Sequence, residues 1–105
     1  MPQVQRILKH LVERNSISAA EAWTVYGVRR LAARILEIRE AGVNVESERK
    51  RDPLGQSYVR YSIDDNEAAA VTLAARGGSI FTIPDLLVRA RKMVREMSYE
   101  VLHVR

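Results

Sequence analysis

A single glycine divides the most informative stretch of the sequence, residues 16–42 (SISAAEAWTVYGVRRLAARILEIREAG), into two helical patterns. Ser18 is followed three residues later by Glu21, and this capping box predicts a helix over residues 19–26. Gly27 should end that helix, because glycine readily adopts the left-handed conformation of a helix C-cap. The stretch therefore predicts two short helices joined by a tight turn.

Apolar residues recur every three or four positions in the segments that precede and follow this second helix. They predict a first helix over residues 3–14, and a third helix over about residues 28–41 that is closed by Gly42. Between the first two helices Ile17 lies alone between two serines, as in a short extended link. The apolar positions are Val4, Ile7, Leu8, Leu11 and Val12 in the first helix, and Val28, Leu31, Ile35 and Ile38 in the third.

Two segments with strand periodicity follow the third helix. In residues 43–51 (VNVESERKR) and in residues 58–63 (YVRYSI), more apolar side chains alternate with more polar ones. The intervening RKRDPLGQS contains Asp-Pro and a glycine, which predicts a turn or loop that begins at the basic triplet. The predicted order of elements is that of a winged helix-turn-helix, namely helix, link, helix, tight turn, helix and hairpin.

The remaining residues predict two more helices. Asp64 and Glu67 form a capping box before an alanine-rich helix that ends at Gly77 and Gly78. Thr82 and Asp85 offer a third capping box, and from there a heptad seam predicts a dimerisation helix. Two alternatives are a helix that packs on its own domain and a strand near the C-terminus. The seam runs through Ile83 and Val104, and its dimerisation residues are Leu87, Ala90, Val94, Met97 and Val101.

The predicted fold is mainly α, of the α+β winged-helix class, with a three-helix core, a two-stranded wing and an additional C-terminal helical segment. Residues 1–63 would form the winged helix-turn-helix domain and residues 64–105 a helical extension for dimerisation. Residues 1–63 hold eleven Lys/Arg and seven Asp/Glu, whereas residues 64–105 hold six of each. A basic part joined to a neutral part predicts a polyanion-binding module with an accessory element.

Several residues of the third helix are candidates for contact with double-stranded DNA. On a helical wheel Arg29, Arg30, Ala33 and Glu37 face away from the buried stripe, and Arg34 lies at its flank. Adjacent arginines can bind a phosphate or the O6 and N7 atoms of guanine, and a small Ala33 can touch a thymine methyl. Glu37 either accepts from a cytosine amine or is a solvated carboxylate beside Arg34.

The predicted hairpin adds a second set of candidate DNA contacts. Arg49, Lys50 and Arg51 at the wing tip could lie along a phosphate backbone or reach the minor groove. Gln56 could add a neutral phosphate bond, and Arg60 should project from the second strand. The aromatic Trp23 is expected to face inward as a structural residue, like Tyr26, rather than to stack on bases.

Composition argues against most other classes of protein. The chain has no cysteine and two histidines, His10 and His103, in separate segments, so neither a metal site nor a cofactor is expected. It lacks a glycine-rich phosphate loop and a serine in a nucleophile elbow, so we expect no enzyme. The N-terminus lacks the apolar core of a signal peptide, and no run of about 18 apolar residues predicts a membrane span. A cytoplasmic protein is expected.

The helical part of the sequence also resembles a small winged helix-turn-helix domain that is common in bacteriophage and prophage proteins. The resemblance covers about residues 3–63 and implies a winged-helix fold and DNA binding, with the segment from Arg30 to Arg34 on the helix that enters the groove. Residues 64–105 lie outside it. The matching positions are Ile7-Leu8, Ser16-Ile17-Ser18, Glu21-Ala22, Tyr26-Gly27-Val28, Arg30-Leu31-Ala32-Ala33-Arg34-Ile35, Ile38-Arg39 and Gly42.

These observations lead to two hypotheses. The first is a sequence-specific double-stranded DNA-binding protein, a small phage or prophage transcriptional regulator that is a homodimer in the nucleoid of the bacterial host. The second is a winged-helix interaction module that binds a host or phage protein, since a fold does not determine a function. Pairing of Arg29, Arg30 or Arg34 with nearby carboxylates would weaken the first hypothesis.

Overall fold

The computed structural model describes residues 2–103, and the side chains of residues 2–97. Within this range five helices and a three-stranded antiparallel sheet form an α+β winged helix with two further helices after it. The fold class predicted from the sequence is confirmed. The elements are α1 (Gln3–Arg14), β1 (Ser16–Ser18), α2 (Ala19–Tyr26), α3 (Leu31–Glu40), β2 (Glu46–Arg51), β3 (Ser57–Ser62), α4 (Asp65–Gly77) and α5 (Asp85–His103).

The link between α1 and α2 is a strand, so the expectation of a two-stranded wing sheet was incomplete. β1 pairs with β3, which places Ile17 opposite Tyr61, and the strand order is β1-β3-β2. Ile17 is fully buried under this sheet. A three-residue segment shows no periodicity of its own, and its partner strand lies far along the chain. The sequence pattern could therefore not reveal the pairing.

The helix-turn-helix begins as predicted and then differs at the turn. The Ser18 side chain accepts from the backbone N–H of Glu21, and the Glu21 side chain accepts from the backbone N–H of Ser18. Gly27 has a φ of 68° and ends α2 in the left-handed conformation. However, α3 begins at Leu31 rather than Val28. Val28 lies in the turn and is still buried, which explains why it matched the apolar spacing of a helix.

The basic triplet lies in a strand rather than in the predicted loop. β2 contains Arg49, Lys50 and Arg51, and the turn starts only at Asp52. The Asp52 carboxylate accepts from the backbone N–H groups of Leu54 and Gln56, both at 2.9 Å. This carboxylate closes the turn, so the triplet remains paired with β3.

One hydrophobic core joins the winged helix to the C-terminal helices. Leu87 and Ala90 are 1% and 2% exposed and belong to the same buried cluster as the apolar residues of α1 and α3. The sequence placed both in a dimer interface, whereas in the structure they are covered within their own chain. Val94 is half-buried against this core, and Met97 is 60% exposed. The side chain of Val101, and Val104 as a whole, lie outside the described part.

A buried carboxylate connects the C-terminal helices to the segment between α3 and the wing. Glu67 on α4 is 6% exposed and accepts from the backbone N–H of Asn44 at 2.6 Å. Its other partner is Arg91 on α5, which donates Nε to Oε1 at 2.9 Å and also donates to the carbonyl of Gly42. Glu67 thus connects α4 to α5 and to the segment between α3 and the wing. The capping box had predicted instead that its side chain accepts from the backbone N–H of Asp64. Asp64 itself accepts from the N–H of Glu67 as predicted.

Candidate nucleic-acid interface

The turn before α3 presents two exposed arginines. Arg29 stacks on Trp23, with the guanidinium carbon 4.9 Å from the ring centroid, within the range of a cation–π contact. Trp23 is 51% exposed, so the prediction that it faces inward was wrong. α2 is only eight residues long and buries Ala22 toward the core, which leaves the ring at the surface. Arg30 precedes the first residue of α3 and is exposed.

Arg34 and Glu37 pair with each other on α3. Nη2 of Arg34 lies 3.4 Å from Oε1 of Glu37, and the two side chains are 29% and 43% exposed. Nε of Arg34 is buried and has no hydrogen-bond partner among the described residues. Because the two charges compensate each other, this pair offers little attraction for a phosphate. The structure favours the alternative in which Glu37 is a partner of Arg34 rather than a base contact.

Arg39 holds α3 against the wing, a role that the sequence did not suggest. Its Nε and Nη2 atoms donate to the carbonyl oxygen of Val45 at 3.1 and 2.9 Å. The guanidinium also lies over the ring of Tyr61 on β3, 5.9 Å from its centroid. The bonded atom of Val45 belongs to the backbone, so no side-chain pattern could have signalled this contact. It fixes the direction of α3 relative to the hairpin.

The outward side of α3 in its first two turns carries three apolar side chains beside the paired Glu37. Ala32 is exposed, Ala33 is half-buried, and Leu36 is 56% exposed. Leu36 was missed in the sequence analysis, although on the helical wheel it lies nearly opposite Ile38 and outside the buried stripe. These are the turns that enter the major groove in helix-turn-helix proteins.

The two faces of the wing carry different charges. Arg49 pairs with Val59 and Arg51 with Ser57, whereas Lys50 pairs with Tyr58. Directly opposite residues share a face of the sheet and alternate along each strand. Arg49 and Arg51 therefore project from the same face as Val59, and Lys50 projects from the other. Lys50 Nζ lies 3.8 Å from Oε2 of Glu48, an exposed ion pair on that second face.

An open groove brings the turn, α3 and the wing together. The turn and the first residues of α3 line one side of it, and β3 lines the other. Val59, the partner of Arg49, and Tyr58, the partner of Lys50, both lie in this lining, so the groove reaches the strand that pairs with the basic triplet. The lining residues are Ala19, Arg29, Arg30, Leu31, Ala32, Ala33, Tyr58, Val59 and Tyr61.

Arg60, which the sequence predicted as a DNA contact, lies outside this surface and is engaged within the fold. Its Nη2 atom is 2.6 Å from Oε1 of Glu21, and its Nη1 atom donates to Oγ of Ser16 at 2.9 Å. Partial burial acts to raise the pKa of Glu21, but hydrogen bonds from Ser18 and the charge of Arg60 outweigh it and lower this pKa below its ordinary value. Arg60 therefore fastens β3 to the start of α2.

The structure brings together about half of the predicted contact residues. Arg29 and Arg30 line the groove with Ala33, and Arg49 and Arg51 are exposed on the adjoining wing strand. None of these four arginines forms an ion pair among the described residues. Gln56 lies at the end of the wing, where its described bonds are made by the backbone. The four arginines, called the groove arginines below, are Arg29, Arg30, Arg49 and Arg51.

Neither metal binding nor membrane insertion is indicated in the part of the chain that the structure describes. No group of three or more His, Asp or Glu side chains there is arranged to hold a metal ion. None of the described helices is long and apolar enough to cross a bilayer. The groove with its four arginines is thus the main candidate site.

Comparison with known proteins agrees with this geometry. Residues 2–66, which include every element from α1 to β3, match the family model described as a winged helix-turn-helix domain. The match ends within the first turn of α4, so it covers the groove but not the C-terminal helices. The chain matches no curated protein and no solved structure. The family architecture indicates binding to DNA in general.

Proposed function

This chain belongs to the winged helix-turn-helix domain family, and from that premise we propose that it is a sequence-specific double-stranded DNA-binding protein. In this proposal the first turns of α3 enter the major groove, and the wing lies along the flanking backbone. The observation that carries the proposal is a set of four exposed arginines, two lining the open groove and two on the adjoining wing strand, without carboxylate partners among the described residues.

We further propose that it acts as a small phage or prophage transcriptional regulator, in the host cytoplasm and on the nucleoid. The support is the resemblance of residues 3–63 to domains common in such proteins. Small regulators often control their own genes, so the DNA upstream of this gene is the first target to test. Upstream DNA should bind more tightly than random duplex of equal length.

The test is a salt series of binding to upstream and random duplex. Each phosphate contact contributes about 0.9 to the slope of log affinity against log salt. The variant Arg30→Ala/Arg51→Ala should therefore lower that slope by about two and weaken binding to both duplexes. The charge-matched control is Arg76→Ala/Arg89→Ala, two exposed arginines on α4 and α5, which should bind like the parent protein. Undetectable binding of the parent protein at low salt would refute the proposal.

The proposal includes a homodimer, formed through the C-terminal end of α5 rather than through the whole seam. α5 has 19 residues and α4 has 13, and Arg91 of α5 already reaches Glu67 near the start of α4. α5 therefore extends beyond its partner helix, and the seam continues there with the exposed Met97. A second copy of this end would cover the seam. Such a dimer would bind an inverted repeat with half-sites about one helical turn apart, or a multiple of that.

Sedimentation equilibrium tests the dimer. Met97→Asp should shift the protein from dimer to monomer, because it places a carboxylate in the apolar seam. Val88→Asp, an exposed site one residue away from the seam position Leu87, should leave the dimer intact. A parent protein that sediments as a monomer would refute this part alone.

A protein-binding role is the second candidate, because one observation favours it. The outward side of α3 carries apolar side chains, while Arg34 and Arg39 are engaged within the fold. If the salt series shows no DNA binding, a capture experiment from host lysate with the parent protein and Leu36→Asp would test this role. Loss of a captured protein in the variant would then support a partner docked on α3.

A further inference from the structure

The side of α3 that points away from the core is poor in hydrogen-bond donors. Its first two turns present Ala32, Ala33 and Leu36, and Leu36 is 56% exposed. The two arginines of the helix do not provide free donors on this side, because Arg34 pairs with Glu37 and Arg39 donates to a backbone carbonyl. A helix with such a surface cannot identify bases mainly by hydrogen bonds.

We infer that α3 selects T·A base pairs by packing Ala32, Ala33 and Leu36 against the 5-methyl groups of thymine. The inference rests on the proposed function and adds the class of base that is recognised. Thymine is the one standard base that presents a methyl group in the major groove, and apolar side chains contact it favourably. Alanine permits close approach of the helix, and leucine reaches further toward a neighbouring methyl group.

The charges around this apolar surface fit a duplex. Arg29 and Arg30 lie at the N-terminal end of α3, and Arg49 and Arg51 lie on β2, next to the strand that lines the other side of the groove. An apolar strip with cationic side chains near it suits a major groove, whose methyl groups lie between two negatively charged backbones. Of the two carboxylates on α3, Glu37 is paired with Arg34, and Glu40 lies at the opposite end of the helix, away from the turns that would enter the groove.

The small size of the strip argues against a protein partner as its occupant. A specific protein–protein interface buries about 800 Å² on each partner. Two alanines and one leucine between arginines provide only a small part of such an area. Base edges are a better match, because each contact involves one methyl group.

The experiment replaces thymine by deoxyuridine, which pairs identically with adenine but lacks the methyl group. A duplex enriched from a random library with the parent protein is resynthesised with one thymine replaced at a time. Loss of a buried methyl should weaken binding about fourfold at each contacted thymine. In Leu36→Ala this loss should vanish at one thymine and persist at the thymines that the alanines contact.

The control is Val88→Ala, which shortens an aliphatic side chain of α5 that is 63% exposed. It should retain every deoxyuridine penalty of the parent protein. Leu36→Ala should remain folded, because the leucine is exposed and alanine favours helix, and thermal unfolding checks this.

Two results would overturn the inference and leave the proposed function standing. One is tight binding that no thymine replacement weakens, and the other is a full set of penalties that persists in Leu36→Ala. Absence of binding to any duplex, by contrast, would refute the proposed function and this inference together.

Discussion

Arginines in two regions of this molecule have opposite surroundings. At the groove, Arg30 and Arg51 are exposed and form no ion pair among the described residues. At the joints between elements, Arg60 pairs with Glu21 and Arg91 pairs with Glu67. Each of these glutamates is the third residue of its helix and also accepts from a backbone N–H. At both of these joints a glutamate near a helix start holds the arginine within the fold, whereas no carboxylate among the described residues pairs with Arg30 or Arg51.

The largest expected effect is a loss of stability when the ion pair between Arg91 and Glu67 is broken. Arg91→Met leaves the carboxylate of Glu67, which is 6% exposed, without its charged partner. Removing one member of a buried pair costs about 3 kcal/mol or more, because the remaining charge is desolvated and uncompensated. We therefore expect the free energy of unfolding to fall by about 3 kcal/mol in urea denaturation.

Arg89→Met is the matched control, since it removes an exposed arginine from the same helix. Its free energy of unfolding should change by less than about 0.5 kcal/mol. Equal effects of the two substitutions would show that the joint contributes no more than an ordinary surface charge.

The sequence predicted the helices better than it predicted these roles of arginine. Local signals were sufficient for α1, α2 and the cap at Ser18, because spacing and capping involve residues within one or two turns. The joints were not predictable, since Arg60 and Glu21 lie on different elements that meet only in the folded sheet. Arg60 and Arg51 look equivalent in the sequence, and only the pairing of β3 with β1 separates them.

A direct comparison of the two regions uses Arg51→Ala and Arg60→Ala. Arg51→Ala should weaken DNA binding about tenfold, as expected for one charge-assisted hydrogen bond, and leave stability within about 0.5 kcal/mol. Arg60→Ala should lower the free energy of unfolding by about 1 kcal/mol, since its partner is partly exposed. Binding titrations at fixed salt and urea denaturation measure both quantities for both variants. The comparison fails if Arg60→Ala, at temperatures where it is folded, weakens binding as much as Arg51→Ala.

The smallest expected effect is on the pH dependence of stability, and it arises at the ion pair between Arg60 and Glu21. The pKa of Glu21 is lower in the folded protein than its ordinary value, so the folded state favours the carboxylate. The resulting stability is complete above the ordinary glutamate pKa of about 4.3 and is lost as the pH falls through the lower folded value. Glu21→Gln removes this dependence, so its stability should decline less than that of the parent protein on acidification below this range.

The difference should stay below about 1 kcal/mol, because the side chain of Glu21 is 38% exposed and water screens the pair. Urea denaturation at a series of pH values measures it, with Glu48→Gln as the control, since Glu48 is 72% exposed and pairs only with Lys50 among the described residues. The control should lose stability with acid in parallel with the parent protein. If Glu21→Gln also runs parallel to the parent, then Glu21 takes up its proton equally in the folded and unfolded states, and Arg60 is merely adjacent to it. The distinction between joint and groove arginines would then rest on Arg91 alone.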